Sequence, residues 1–244
     1  MKGFLALSWI EFKIFMREPM GSVSALVFPV IIFVVLSSGG DESGSRFESL
    51  LVPLPIFAVV LIGMSNATSL IAIISIYREG GILKRLRSTP LQPYTILSAH
   101  VLVKLIMTAL SLSLLVLVGK NFGSWNPDVN ALSFGIAIVF SFISLMSIGF
   151  VIASFVPTAR FAQPLATFIF MPLMIMSPLF VPINEFSDTW IAKLFYLSPF
   201  THVTNLLAGI WSGGGWGDQW IAIIGLTTIF MVCVTVSTKV FRWE

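Results

Sequence analysis

Tyr77-Arg-Glu-Gly-Gly-Ile-Leu-Lys-Arg-Leu-Arg-Ser-Thr-Pro90 is a short polar stretch between two long apolar runs, and its reading decides the fold. It carries Arg78, Lys84, Arg85 and Arg87, four of the chain's 14 basic residues. Gly80 and Gly81 break the preceding helix and let the chain turn. Ile82, Leu83 and Leu86 then share one side of a short helix, with Lys84, Arg85 and Arg87 around the rest. Pro90 keeps that helix from running on through Thr89. A basic, partly apolar helix at the mouth of an apolar bundle suits docking to another protein. On local pattern alone, ordinary loop charges account for the same residues equally well.

Composition sets the class around this stretch. The chain is 57% hydrophobic and only 10% charged, with a mean hydropathy of +0.97. A soluble domain carries about 25% charged residues, so this chain takes a bilayer as its solvent. Its 244 residues allow one transmembrane domain, 1–244, with about six spanning helices of ~20 residues plus connections. A net charge of +3 is too small and scattered to suggest nucleic acid. The lone cysteine, Cys233, leaves no disulfide framework and no cysteine metal cluster, and no metal site is expected. It sits in an apolar run and reads as a small hydrophobe.

Residues 1–19 do not read as a signal peptide, because Glu11, Lys13, Arg17 and Glu18 interrupt the apolar run. Phe4, Leu5, Trp9, Phe12, Phe15 and Met16 share one helical arc and Lys2, Lys13 and Arg17 another, while the acids sort less cleanly. This predicts an interfacial helix that Pro19 ends. The first span is expected from about Gly21 to Ser38, kinked at Pro29. After a polar loop, 39–49, the second runs from about Leu50 to Ile76, longer than a bilayer core of ~30 Å requires. Its middle holds Ser65, Asn66, Thr68 and Ser69, and Asn66 points into the bundle or a cavity, with helix–helix hydrogen bonding favoured over substrate contact.

The third span covers about Thr95–Val118, with His100 and Lys104 one turn apart on one face. Lys104 is expected to snorkel toward the headgroups rather than serve a proton relay. The fourth covers about Ala131–Val156 and Arg160 marks the next turn. The fifth covers about Pro164–Leu179, interrupted by Pro172 and Pro178. Its Phe168, Phe170, Met171, Met174 and Met176 fit plain packing better than a surface for varied apolar ligands, though they suit both. Residues 180–217 are too apolar for a free loop and too interrupted to span, which predicts two short helices re-entering the outer leaflet against protein. The last span covers about Trp220–Val236. Lys2, Lys13, Arg17, Arg78, Lys84, Arg85, Arg87, Arg160, Lys239 and Arg242 then fall on one side, against Arg46, Lys120 and Lys193 on the other. That bias puts both termini and Tyr77–Pro90 in the cytoplasm.

Three stretches in this order carry a family likeness. They are Arg78-Glu-Gly-Gly-Ile-Leu-Lys-Arg-Leu-Arg-Ser-Thr-Pro90 after the second span, Leu97-Ser-Ala-His-Val-Leu-Val-Lys104 opening the third, and Phe180-Val-Pro182 followed by Leu197-Ser-Pro-Phe-Thr-His202 before the last. With the span count, the chain resembles the permease subunit of type-2 ABC (ATP-binding-cassette) exporters of the drug- and antibiotic-efflux kind. The likeness implies an all-α membrane protein: six transmembrane helices, an N-terminal interfacial connecting helix (1–19) and an outer re-entrant hairpin (180–217) between spans five and six. It implies that Arg78, Glu79, Gly80, Gly81, Ile82, Leu83, Lys84, Arg85, Leu86 and Arg87 form a coupling helix, within 77–90, seated in a cleft of a separate ATPase subunit. Two permeases, identical or sister chains, and two ATPases would make the transporter in the cell membrane. The first, second and fifth spans would line the substrate path at the permease dimer interface, with Phe28, Phe33, Ser65, Asn66, Ser69, Phe170, Met171 and Met174. Pro182, Pro199, Thr201 and His202 would belong to the outer hairpin. Family members often carry an arginine about ten residues after the Pro-x-Thr-His signature; here Leu207-Ala-Gly-Ile-Trp-Ser-Gly-Gly214 holds no charge, which suits a less anionic cargo.

The chain has no Gly-x-x-x-x-Gly-Lys-Ser/Thr loop, since Gly119-Lys120 lacks both the earlier glycine and the hydroxyl residue. It is therefore expected to carry no cofactor and no enzymatic site, with ATP and Mg held by the ATPase partner. The expected cargo is a small hydrophobic compound such as a drug or antibiotic; a lipid or lipid-linked glycan is the alternative. Two other classes fit less well. Gly63-Met-Ser-Asn-Ala67 resembles a degraded nucleophile elbow of a serine hydrolase. Ser65 would lie ~16 Å above the cytoplasmic end of its helix and His100 only ~8 Å up its own, while His202 falls on the far side. An ATP-independent secondary transporter would need buried carboxylates, and no Asp or Glu falls within an expected span.

Overall fold

The computed structural model describes residues 2–17, 26–27, 29–31, 33–35, 54–63, 68–81, 93–121, 129–156, 158–178 and 190–240. Among these, all regular structure is helical. Helix α1 (Lys2–Arg17) lies along α4 (Pro93–Asn121). It leaves Leu5, Trp9, Ile10, Ile14 and Met16 exposed, as a helix lying among lipid headgroups would. Of the first span, the helical residues within 26–35 are described, and Phe33 there packs edge-on against Phe57, ring centroids 5.3 Å apart.

Of the second span, expected from about Leu50 to Ile76, the described residues are α2 (Leu54–Val60), a π turn at 61–63 and α3 (Thr68–Glu79). At this turn Gly63 is pressed against the Phe200 ring so closely that a Cβ there would overlap it. Ser65 and Asn66 lie outside the described residues. Helix α3 ends where the glycine pair demands. Gly80 N–H donates to the Ile76 carbonyl at 2.9 Å, Gly81 N–H to the Arg78 carbonyl at 3.1 Å, and Gly81 takes a left-handed φ of +64°. The expected coupling helix beyond it, Ile82–Arg87, lies outside the described residues.

Helix α4 starts at Pro93, where a missing N–H is harmless. Helix α5 (Ala131–Phe155) is capped by Asn130, whose side chain accepts from the N–H groups of Leu132 and Ser133. Helix α6 (Ala159–Ile175) begins five residues before the Pro164 expected to start it, so Arg160 sits in its first turn rather than in a loop. Helices α7 (Trp190–Leu197) and α8 (Pro199–Trp211) are the expected short pair, divided at Ser198. A 3₁₀ turn (Trp216–Gln219) leads into α9 (Trp220–Val240).

Helix α8 is the hub. It touches α2, α5, α6, α7 and α9, and Phe200, Val203, Leu206 and Leu207 have no exposed surface. Elsewhere the helices approach closely over small residues: Ala58, Ala99, Ala137, Ala153, Ala162 and Ala166 are all fully buried. In a bilayer this is how helices gain contact, because lipid is as apolar as the side chains it would replace. Among the described residues three helical stretches are long and apolar enough to cross a membrane: Ser98–Gly119, Ala131–Phe155 and Trp216–Ser237.

Candidate functional site

Two clusters of side-chain hydrogen bonds join helices of the described bundle, one toward each end. At one end the centre is Glu11 of α1. Tyr77 Oη donates to Glu11 Oε1 at 2.7 Å, and His100 Nδ1 lies 3.5 Å from Oε2. The other imidazole nitrogen, Nε2, is 3.4 Å from Ser69 Oγ. One carboxylate thereby joins α1, α3 and α4. The Glu11 and His100 side chains are only 13% and 11% exposed. Burial alone pushes the Glu11 carboxyl up, but the hydrogen bonds from His100 and Tyr77, with the His100 and Lys104 charges, outweigh it and hold the group below its ordinary value. Burial, then the Glu11 bond and charge, push the Tyr77 phenol far up, so it stays a donor. Lys104, expected among the headgroups, has its Nζ 5.1 Å from the Phe15 ring centroid, a cation–π contact back to α1.

Arg78 follows Tyr77 and turns the opposite way. Its Nη1 donates to the carbonyls of Val156 at 2.6 Å and Ala153 at 3.3 Å, which close the C-terminal end of α5. Arg78 therefore bonds within its own chain, although the family likeness groups it with the ATPase contacts. Glu79 and Gly80 are exposed. The order Ser69–His100–Glu11 also imitates a nucleophile, base and orienting acid. Gaps of 3.4 and 3.5 Å exceed the ~2.6–3.2 Å over which a base takes a serine proton, and Tyr77 already occupies the carboxylate. The arrangement works as a brace between helices.

At the other end the Ser198-Pro-Phe-Thr-His202 signature is a clasp. The last carbonyls of α6 have no partners within the helix. Met176 N–H takes that of Pro172, Ser177 Oγ that of Met174, and Ser198 Oγ reaches Leu173 at 2.6 Å. Thr201 Oγ1 donates to Phe195 at 2.6 Å and approaches the Met176 carbonyl at 3.3 Å. His202 Nε2 lies 2.9 Å from the Tyr196 carbonyl, which can only accept, so Nε2 carries the proton. Gly225 of α9 rests on the imidazole, where a Cβ would come within 2.6 Å of ring carbon. Pro199 opens α8 at its first turn. Pro182 lies outside the described residues.

The expected substrate-path residues separate. Phe33, Phe170 and Met174 are 1%, 2% and 6% exposed, packed inside this chain, with Phe170 edge-on to Phe200 at 6.0 Å. Ser69 is half-buried beside His100. Met171 is exposed, beside Phe168 and a surface hollow that Gln163, Thr167 and Ile175 also line. Phe28, Ser65 and Asn66 lie outside the described residues. Reading along the chain missed Glu11, Tyr77 and Ser198 as connecting groups. The available signal is an acid at the edge of the apolar arc of the interfacial helix.

Two tests follow from this geometry. Thr201→Val removes the donor to Phe195 and Met176 and should lower stability by about 1–3 kcal/mol, read as thermal unfolding in detergent. Thr204→Val, which loses only a bond to the Phe200 carbonyl of its own helix, should cost less than that; equal losses would remove the clasp. Glu11, depressed in the fold, stabilises above its ordinary value of 4.5, and that contribution fades as the pH falls through the lower folded value. Wild type should therefore lose more thermal stability on acidification below about pH 4.5 than Glu11→Gln does, and parallel pH profiles would contradict the brace.

A family model described as ABC-2 type transporter matches residues 2–211, from α1 through α8 and across all three motif stretches. Among curated proteins no match was found. With helices able to cross a membrane, a glycine-terminated α3 and the Pro-x-Thr-His clasp in place, the chain belongs to the ABC-2 type transporter family and is a multi-pass membrane component, the permease, of an ABC transporter.

Proposed function

We propose that this permease is the membrane half of an ATP-driven exporter for a small hydrophobic compound such as a drug or antibiotic. Two permeases, identical or sister chains, pair with two ATPase subunits, which bind the ATP and Mg. Both termini and the segment after α3 face the cytoplasm. The observation that carries this reading is the double fastening of the last turn of α3: Tyr77 to Glu11 of α1, Arg78 to the end of α5. Residues 78–87, as the coupling helix, would receive the movement of the ATPases. A displacement entering at Gly81 reaches α1, α4 and α5 together rather than bending one helix. ATP then shifts the bundle between inward and outward arrangements by binding one of them more favourably. The open apolar face of α6, with Phe161, Phe168, Met171 and Ile175 exposed, supports an apolar path at the permease–permease interface.

The coupling reading is tested in proteoliposomes with the co-purified ATPase. Tyr77→Phe and Glu11→Gln should leave the complex assembled and ATP hydrolysis within about twofold of wild type, while transport per ATP falls several-fold. Glu79→Ala and Leu86→Ala should uncouple in the same way. Wild-type coupling in all four would end the assignment, and a chain that purifies without any ATPase would end the exporter reading itself.

The cargo reading separates two methionines. Met171→Ala should change the ranking of exported compounds with little change in melting temperature. Met174→Ala, deleting a side chain 6% exposed, should instead destabilise by about 2–5 kcal/mol. An unchanged cargo ranking for Met171→Ala would remove α6 from the path.

A further inference from the structure

Helices α5 and α9 pack along each other yet leave a cavity of about 270 Å³ between them. On α9 its wall is Phe230, Cys233, Val234 and Ser237, one stripe at i, i+3, i+4 and i+7. On α5 it is Ile143, Met146, Ser147 and Phe150, a stripe of the same spacing. Leu70 of α3 and Val101 of α4 close the inner side. Each stripe runs ~10 Å along its helix at ~1.5 Å per residue. Ile143 and Val234 line the cavity and are also 41% and 39% exposed, so its mouth opens on the outside of this chain.

The walls of this groove belong to two helices long and apolar enough to span, so its mouth faces hydrocarbon. A hydrocarbon chain gains little by moving from lipid into an apolar groove, since both surroundings are equally apolar. Residence there needs a polar contact, and the groove holds one unspent donor. Ser237 is 4% exposed and its Oγ is buried without a hydrogen-bond partner. The Ser147 hydroxyl, by contrast, already donates to the Ser144 carbonyl at 2.6 Å. Ser237 is also the last residue of the apolar stretch Trp216–Ser237. That is the depth at which acyl chains give way to glycerol esters, whose carbonyls only accept.

The geometry points to a structural phospholipid site: one acyl chain lies in the α5–α9 groove and, with the Ser237 side chain rotated toward it, its ester carbonyl accepts a hydrogen bond from Ser237 Oγ. This site lies on α5 and α9, away from the α6 face assigned to cargo, and does not depend on the exporter reading.

Native mass spectrometry of the full chain in mild detergent tests it, after exhaustive delipidation, with dioleoyl phosphatidylglycerol and its ether-linked analogue as probes. Wild type should retain one ester lipid per chain and bind the carbonyl-free ether lipid about 3- to 10-fold more weakly, the span expected for one hydrogen bond. Ser237→Ala, a change small enough to fold, should erase the difference between the two lipids. Cys233→Trp should fill the groove and abolish retention, while Val232→Trp, on the exposed side of α9, should leave it intact. Equal affinity for ester and ether lipid in wild type would overturn the proposal, as would retention undiminished in Cys233→Trp.

Discussion

A carboxylate at the edge of a membrane bundle is costly unless its lone pairs are taken, and Glu11 is where this chain accepts that cost. Its two oxygens face Tyr77 of α3 and His100 of α4, while Lys104, one turn beyond His100, holds the neighbouring Phe15. An interfacial helix is otherwise held only by apolar contacts that tolerate sliding. The brace removes that freedom. Displacing α1 by one turn would strand Glu11 in a poorly solvated place without a donor, so α1, α3 and α4 share one register. Arg78 extends the register to α5, because the carbonyls it satisfies end that helix.

The opposite end obeys the same constraint with neutral groups. Helix α6 stops at Ile175 with one side open and the other packed on protein, and in an apolar surrounding its terminal carbonyls need donors that water does not supply. Ser177, Ser198 and Thr201 supply them from two later segments. Pro199 sets the start of α8 so that Thr201 and His202 point back at the end of α7. In this chain the Pro-x-Thr-His signature is thus explained by satisfied backbone, and no reacting group need be invoked.

Much of this was legible along the chain. Membrane class, the glycine stop at Gly80-Gly81, helices α4 and α5 and the short helices α7 and α8 follow from hydropathy and breaker residues. Pro164 reads as the start of the fifth span, yet α6 begins at Ala159, because a proline one turn inside a helix loses one backbone bond, which a packed helix tolerates. The Glu11 brace was not legible, because its partner Tyr77 is 66 residues away and no local period encodes such a pair. The burial of Phe33, Phe170 and Met174 was hidden for a different reason. In a soluble helix the polar face reveals the apolar one. In a spanning helix the lipid face and the core face are both apolar, so sequence does not say which phenylalanine meets protein.

The contrast between the ends and the middle bears on movement. Midway along α5, Ser144 bonds to the Phe140 carbonyl of its own helix. That hydroxyl is satisfied without tying α5 to its neighbours. Mid-bundle contacts therefore rest largely on small-residue packing and dispersion, which change gradually as helices tilt. Hydrogen bonds at the ends fail abruptly when geometry is lost. A bundle built this way keeps its register at both ends while its middle can rock.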